Sequence, residues 1–159
     1  MKIDDKTIEK ILQVYDPGFR FLVSADIKYP ETQGEFHVHA PPYSPLNLQY
    51  FTAIEAQFCL NQMGYAALYE GLQQGRFPEV AGNDFRRFIP QETHFAYIKT
   101  LGIDFRRVIR IDAPISGSLI LEQKELGRYF LKLHTEFEFE GGKAGGKCIF
   151  AIGPVKTRD

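Results

Sequence analysis

The residues best suited to chemistry are a carboxylate and an amide set inside an apolar run. Glu55 sits in Tyr50-Phe51-Thr52-Ala53-Ile54-Glu55-Ala56, and Asn61 follows in Cys59-Leu60-Asn61-Gln62-Met63-Gly64-Tyr65. A carboxylate taken out of water among apolar groups either finds partners or becomes a useful base. A primary amide nearby can donate N–H to an oxyanion as it develops. At ~100° per residue, Thr52, Glu55 and Gln62 share one stripe, while Gln57 and Asn61 lie roughly opposite. One subsite can use both polar lines only if curvature or a second subunit brings them together. The structural alternatives are a Glu55 satisfied by backbone amides, Lys or Arg, and an Asn61 that ties the helix to a strand.

Other groups are weaker signals. Arg106-Arg107 and Arg86-Arg87 have the geometry to meet a phosphate, although paired arginines on loops and edges are commonly solvated. His37 and His39 share one face of an alternating segment, a spacing that metals use, but no motif supplies a third ligand. Glu136, Glu138 and Glu140 read as the wet face of a strand. Cys59 and Cys148 lie in apolar runs and are expected to be reduced and buried.

The elements that must hold these groups follow from periodicity. A short amphipathic helix opens the chain, capped by Asp4 or Asp5, with Ile8, Ile11, Leu12 and Tyr15 on one face. Asp16-Pro17-Gly18 ends it. Residues 19–29 alternate, with Phe19, Phe21, Val23, Ala25 and Ile27 on one side. After a turn over Pro30–Gly34, Glu35–His39 reads as the returning strand. Pro41, Pro42 and Pro45 lead into one long helix, about Asn47–Gln74, apolar on nearly every side, so the rest of the domain must wrap it. Residues 76–92 form a connection. Strands are then expected at His94–Ile98, Phe105–Ile111 (split from the first at Gly102), Leu119–Gln123, Arg128–Glu140 and Lys147–Ile152, with Gly141-Gly142 as a turn. A strongly curved antiparallel sheet around one helix satisfies this α+β order.

The 159 residues suffice for one hydrophobic core in a single domain, 1–159. A net charge of −1 without a basic tail gives no footprint for nucleic acid. Thr52, Glu55, Gln57, Asn61 and Gln62 argue against a membrane span in the central segment. Lys2, Asp4, Asp5 and Lys6 leave no secretory apolar region at the start, so the expected location is the cytoplasm.

The helix-and-curved-sheet order is that of the hot dog fold, and the central motif resembles the FcoT-like acyl-CoA thioesterase family. The resemblance rests on Phe51-Thr52-Ala53-Ile54-Glu55, on Cys59-Leu60-Asn61-Gln62 with the later Tyr65, and on Val14-Tyr15-Asp16-Pro17 before Arg20-Phe21-Leu22. It implies a fatty acyl thioester substrate on coenzyme A or an acyl carrier protein, so that the carrier is part of the substrate and no separate cofactor is needed. It also implies a homodimer or a dimer-based assembly. The family's site positions map to Tyr15, Tyr43 and, where the family has Asn, Thr52, which offers a hydroxyl but no amide. On this reading Glu55 is the base, Tyr15, Tyr43, Thr52 and Asn61 position carbonyl and water, and Phe51, Arg106 and Arg107 contact the substrate. Alternatives within the fold are addition of an amine such as glycine to a 2-enoyl thioester and dehydration of a 3-hydroxyacyl thioester. The dehydratase pattern Gly-His-Phe is here Gln49-Tyr50-Phe51, which lacks the His. A non-catalytic acyl-binding module is the alternative from another class.

Overall fold

Asp4 starts the first helix because its carboxylate accepts from Thr7 N at 3.0 Å, filling one of the donors a helix N-terminus leaves open. The structure is a computed structural model that describes residues 1–40, 43, 46–80 and 95–156. Helix α1 is Asp5–Leu12, and Ile8, Ile11 and Leu12 are buried. A 3₁₀ turn at Pro17–Phe19 leads to β1, Leu22–Lys28, and β2, Glu31–Phe36. Helix α2, Ala53–Gln73, precedes β3 Phe95–Phe105, β4 Ile115–Leu126, β5 Leu131–Phe139 and β6 Ala144–Gly153. The six strands run in the order β1-β2-β4-β5-β6-β3, every neighbour antiparallel. Their curved inner face holds α2, so the fold is the hot dog fold. Cys59, Leu60, Met63 and Ala66 of α2 are completely buried among Phe36, Ile115, Phe139 and Ile152 of the sheet. Among the described residues, no helix is long and apolar enough to cross a membrane.

Several boundaries differ from the sequence expectation, each for a local reason. Helix α2 begins at Ala53, not near Asn47, because Gln49–Phe51 pairs with 109–111: Phe51 N donates to Ile109 O at 2.8 Å and Ile111 N to Gln49 O at 3.1 Å. The same pairing takes 106–111 out of the sheet. Strand β3 runs through Gly102 unbroken, and its register shift falls at Ile98/Thr100. Val23 is exposed, out of phase with Ala25 and Ile27, because β1 shifts register between Leu22 and Ser24. There the Oε1 of Gln62 accepts from both Phe21 N and Leu22 N at 2.9 Å, and its Nε2 donates to Phe19 O at 2.6 Å. A helix side chain thus fixes the strand entry.

The hairpin turns at Tyr29-Pro30, so most of Pro30–Gly34 is strand. Gly34 stands opposite Gly117 on β4, and a Cβ on either would lie 3.0 Å from the Phe36 ring. These glycines make room for the Phe36 and Phe139 rings, 6.0 Å apart, and are not turn residues. Strands β4, β5 and β6 fall at the expected places, β4 and β6 longer than expected and β5 shorter. The turn at Gly141-Gly142 has positive φ at both glycines. The prolines at 41, 42 and 45, the pair Arg86-Arg87, His94 and most of the 76–92 connection lie outside the described residues.

The two sheet edges differ. Residues at the start of the chain cover β1: Ile3 N donates to Ala25 O and Ile27 N to Met1 O, both at 2.9 Å. On the far side, among the described residues, β3 forms its ladder with β6 alone.

Candidate active site

Thr52 and Glu55 are built into the first turn of α2 as a reciprocal cap. Thr52 N donates to Glu55 Oε2 at 2.9 Å, Thr52 Oγ1 donates to the same oxygen, and Ile54 N donates to Thr52 Oγ1 at 3.2 Å. This is the capping box, and Thr52-x-x-Glu55 is its sequence signature. That signature was present in the chain and marks the helix start that hydrophobic periodicity alone places too early.

Glu55 is 2% exposed, and its other oxygen, Oε1, accepts from the hydroxyl of Tyr43. Among the described residues its partners are thus one backbone amide and two hydroxyls, with no Lys or Arg. Tyr43 itself is 47% exposed, so its side chain runs from the surface to the buried carboxylate. Desolvation, and then the hydrogen bond to Glu55, push the Tyr43 phenol up from its usual value, so it remains protonated near neutrality.

Tyr15 and Asn61 form a second pair. The Nδ2 of Asn61 donates to the Tyr15 hydroxyl at 2.8 Å, while Asn61 Oδ1 is buried without a hydrogen-bond partner among the described residues. The Tyr15 ring packs edge-on against Phe58, with centroids 6.0 Å apart. Burial, with a smaller contribution from Tyr65, raises its phenol far above the usual tyrosine value. Asn61 lines an open pocket of about 220 Å³ together with Ile54, Gln57 and Phe58.

Asn61 lies six helical steps beyond Glu55, which is about 120° around the axis and about 9 Å along it. The two pairs therefore open in different directions, as the two polar stripes implied. Gln62, on the Glu55 stripe, is wholly buried and fully used in clamping β1, so its role is structural.

Phe51, Arg106 and Arg107 come together with Thr52 around a groove of about 510 Å³, completed by Tyr50, Ala53, Phe105 and Val108. Phe51 is buried, and its ring lies 6.4 Å from that of Phe105. Arg106 donates to Gly142 O at 3.0 Å and pairs with Asp104 at 3.7 Å. Sequence reasoning had not picked out Tyr50, Phe105 or Val108. The bridge between Tyr50 and Arg110 that brings them together joins segments sixty residues apart in sequence.

A separate apolar slot lies under the C-terminal half of α2, with free space of about 30 Å³ beside Phe77 and Phe150. It is not adjacent to Glu55. His37 and His39 border an open groove with Asp112, and no group of three metal-binding side chains occurs among the described residues.

A curved sheet around one buried helix, with polar groups gathered at the helix start, defines a hot dog protein of the thioesterase class. The family model for the FcoT-like thioesterase domain matches residues 10–152, and the chain belongs to that family. It is an enzyme with thioester hydrolase activity. The fold is shared with a mutant thioesterase from Pseudomonas aeruginosa (9% identity, TM-score 0.57, covering 96% of this chain and 95% of that one). It is also shared with a hypothetical thioesterase protein from Streptococcus pneumoniae solved with coenzyme A (6% identity, TM-score 0.55, 94% and 99%). A thioesterase superfamily protein from Shewanella loihica is similar as well (12% identity, TM-score 0.51, 82% and 90%). No curated protein matches the chain in sequence.

Proposed function

We propose that this chain, as a single cytoplasmic domain, hydrolyses a fatty acyl thioester carried on coenzyme A or on the phosphopantetheine of a carrier protein. The carrier group is part of the substrate, and no further cofactor enters. The observation that carries the reading is the Tyr43–Glu55 contact: the hydroxyl of a half-exposed tyrosine whose proton is already directed at a buried carboxylate. Coenzyme A accompanies the Streptococcus pneumoniae protein of the same fold, which supports the carrier class.

In this mechanism the lone pairs of the Tyr43 oxygen accept a hydrogen bond from water. As water attacks the thioester carbon, its proton passes to Tyr43 while the Tyr43 proton passes to Glu55. The carbonyl oxygen gains charge and takes hydrogen bonds from the Tyr15 hydroxyl and the Asn61 amide. Collapse of the tetrahedral intermediate breaks the C–S bond, and the thiolate takes the proton stored on Glu55, returning through Tyr43. Thr52 holds the carboxylate from behind.

Because the two pairs open in different directions, a homodimer is part of the proposal, with Tyr43–Glu55 of one protomer facing Tyr15–Asn61 of its partner. The feature that supports it is the exposed side of α2 bearing Ile54 and Gln57. Glycine addition needs a cation for the amino-acid carboxylate, and among the described residues none lines the Asn61 pocket. A non-catalytic binder would pair Glu55 with a cation, whereas two hydroxyls and an amide hold it. Both facts favour hydrolysis.

The test is thiol release from acyl-CoA substrates of graded chain length by wild type, Tyr43→Phe and Glu55→Gln. Release that collapses in both variants supports the reading. Release only when glycine is present, or acyl retention without turnover, overturns it.

A further inference from the structure

The corner of the sheet beyond the C-terminus of α2 carries side chains that thioester cleavage does not use. The β4–β5 hairpin turns there through Arg128-Tyr129, closed by Gly127 N donating to Phe130 O at 3.0 Å. Strand β4 continues over Leu121–Leu126 past Ile120, its last partner on β2, so the tip stands out beyond the β1–β2 hairpin. Neighbouring segments are tied to this corner. Val155 N donates to Tyr129 O at 3.2 Å, Lys156 N to Glu79 O at 2.8 Å, and Lys124 Nζ to Arg76 O at 3.0 Å. Gln73, the last residue of α2, lies 18 residues after Glu55, about 27 Å at the α-helical rise. The corner is therefore remote from the candidate active site.

Large apolar side chains are exposed here: Tyr129 at 63% and Leu126 at 41%, with Tyr29 of the neighbouring hairpin at 39%. Cations lie over the rings. The Arg128 guanidinium is 5.1 Å from the centre of the Tyr129 ring, Lys99 Nζ 5.3 Å from that of Phe130, and the Arg76 guanidinium 4.9 Å from that of Tyr29. Two carboxylates of the same corner are already neutralised, Glu79 by Lys124 at 3.4 Å and Glu125 by Lys132 at 2.5 Å. Among the described residues, Arg76, Lys99, Arg128 and Lys156 are exposed and have no carboxylate partner. The net charge of the chain is −1, so this surplus is local. Glu136 and Glu138 stand exposed on the outer face of the sheet, toward the other end of β5.

We propose that this corner docks the protein on an anionic lipid surface, with Tyr129 and Leu126 in the headgroup layer and Arg76, Lys99, Arg128 and Lys156 on lipid phosphates. Tyrosine suits a membrane–water interface because its ring is apolar and its hydroxyl stays wet. Long basic side chains lay their stems on apolar surface and reach outward to charged headgroups. An acidic protein would offer the same charge complementarity, but it would need pockets to receive two projecting side chains. Leu126 and Tyr129 line none of the four grooves described above, so the tip is convex. A convex tip enters a deformable headgroup layer without a matching cavity, which favours lipid. The acidic outer face is repelled by the same surface, and this orients the molecule. The protein then lies on the bilayer and does not cross it. The inference goes beyond the thioesterase reading and stands or falls without it.

The test is sedimentation of the full chain with vesicles of equal parts phosphatidylcholine and phosphatidylglycerol, against vesicles of phosphatidylcholine alone. Wild type is expected to partition onto the mixed vesicles only, and to come off at high salt, where charge is screened. Arg128→Ala and Lys156→Ala should each weaken partitioning roughly fivefold, and the double variant roughly 25-fold. Lys147→Ala removes the same charge from the outer sheet face, where Lys147 pairs with Glu122, and should leave partitioning at the wild-type level. The chain has no tryptophan, so Tyr129→Trp makes a single reporter whose emission should shift to the blue on mixed vesicles. Absence of binding to the mixed vesicles overturns the proposal, as does equal binding to both vesicle types. Reporter emission that stays unshifted on bound vesicles also overturns it, and so does a double variant that binds like wild type. Binding of polyglutamate without binding of mixed vesicles would give the surface to an acidic protein and overturn it equally.

Discussion

The hydroxyl of Tyr43, on an exposed residue ahead of α2, donates to Oε1 of Glu55, a carboxylate that water barely reaches. In the proposed mechanism the acid acts through that hydroxyl and the two residues work as one unit, which makes their mutational behaviour distinctive.

Tyr43→Phe and Glu55→Gln should each lower kcat by roughly 10²–10⁴-fold, the usual scale of general-base loss. Because both substitutions break the same proton path, the double variant should be hardly worse than either single one. Steady-state kinetics of the three variants checks this. Multiplying losses would separate the two residues.

Thr52→Ala removes the N-cap hydroxyl from Glu55 and Ile54. It should cost about 1 kcal/mol of stability and lower Tm by about 2–4 °C for a domain of this size. Thermal unfolding measures it, and Thr52→Ser should recover most of the loss.

Gln62→Leu leaves Phe21 N and Leu22 N buried without their acceptor. Each orphaned donor costs about 1–3 kcal/mol, so a loss of several kcal/mol is expected in denaturant unfolding. If stability barely changes, the clamp on β1 is not what holds the strand entry.

Gly64→Ala drives a Cβ to 2.6 Å from the Phe150 ring. Overpacking of this kind costs about 1–3 kcal/mol, and Phe150→Leu in the same chain should relieve most of it. A double-variant cycle in urea provides the measurement.

Alkaline pH should destabilise the protein. Burial raises Tyr15 and Tyr65 above their usual 10.0, raises Cys59, and pushes Cys148 up to about 12 from 9.0. The unfolded chain therefore releases protons first, and the native state holds more of them. Stability is fully present below pH about 9 and falls as pH rises through the unfolded values. Tm recorded from pH 7 to 11 should show the decline, and Tyr15→Phe should flatten it.

Much of the architecture was legible because periodicity is local. The apolar run through Met63 required a wrapping, and the alternation from Leu131 to Phe139 required a strand with one buried face. Errors fell where a long-range partner overrode local pattern. The Gln62 amide reset β1 at Val23, the Ile109 carbonyl held Phe51 out of the helix, and the rings of Phe36 and Phe139 explain Gly34 and Gly117, of which Gly34 had read as a turn. The capping signature at Thr52 was the missed local clue.

For the site, the chain by itself determined that Glu55 and Asn61 sit on different sides of one helix, since that follows from a fixed 100° step. It could not show that Tyr43 reaches Glu55, that Tyr15 meets Asn61, or that Tyr50, Phe105 and Arg107 share a groove. Those meetings join segments 12, 46 and more than 50 residues apart. Helical spacing is set by neighbouring peptide bonds, whereas such meetings exist only after the sheet has closed around α2 and fixed where each strand and loop ends.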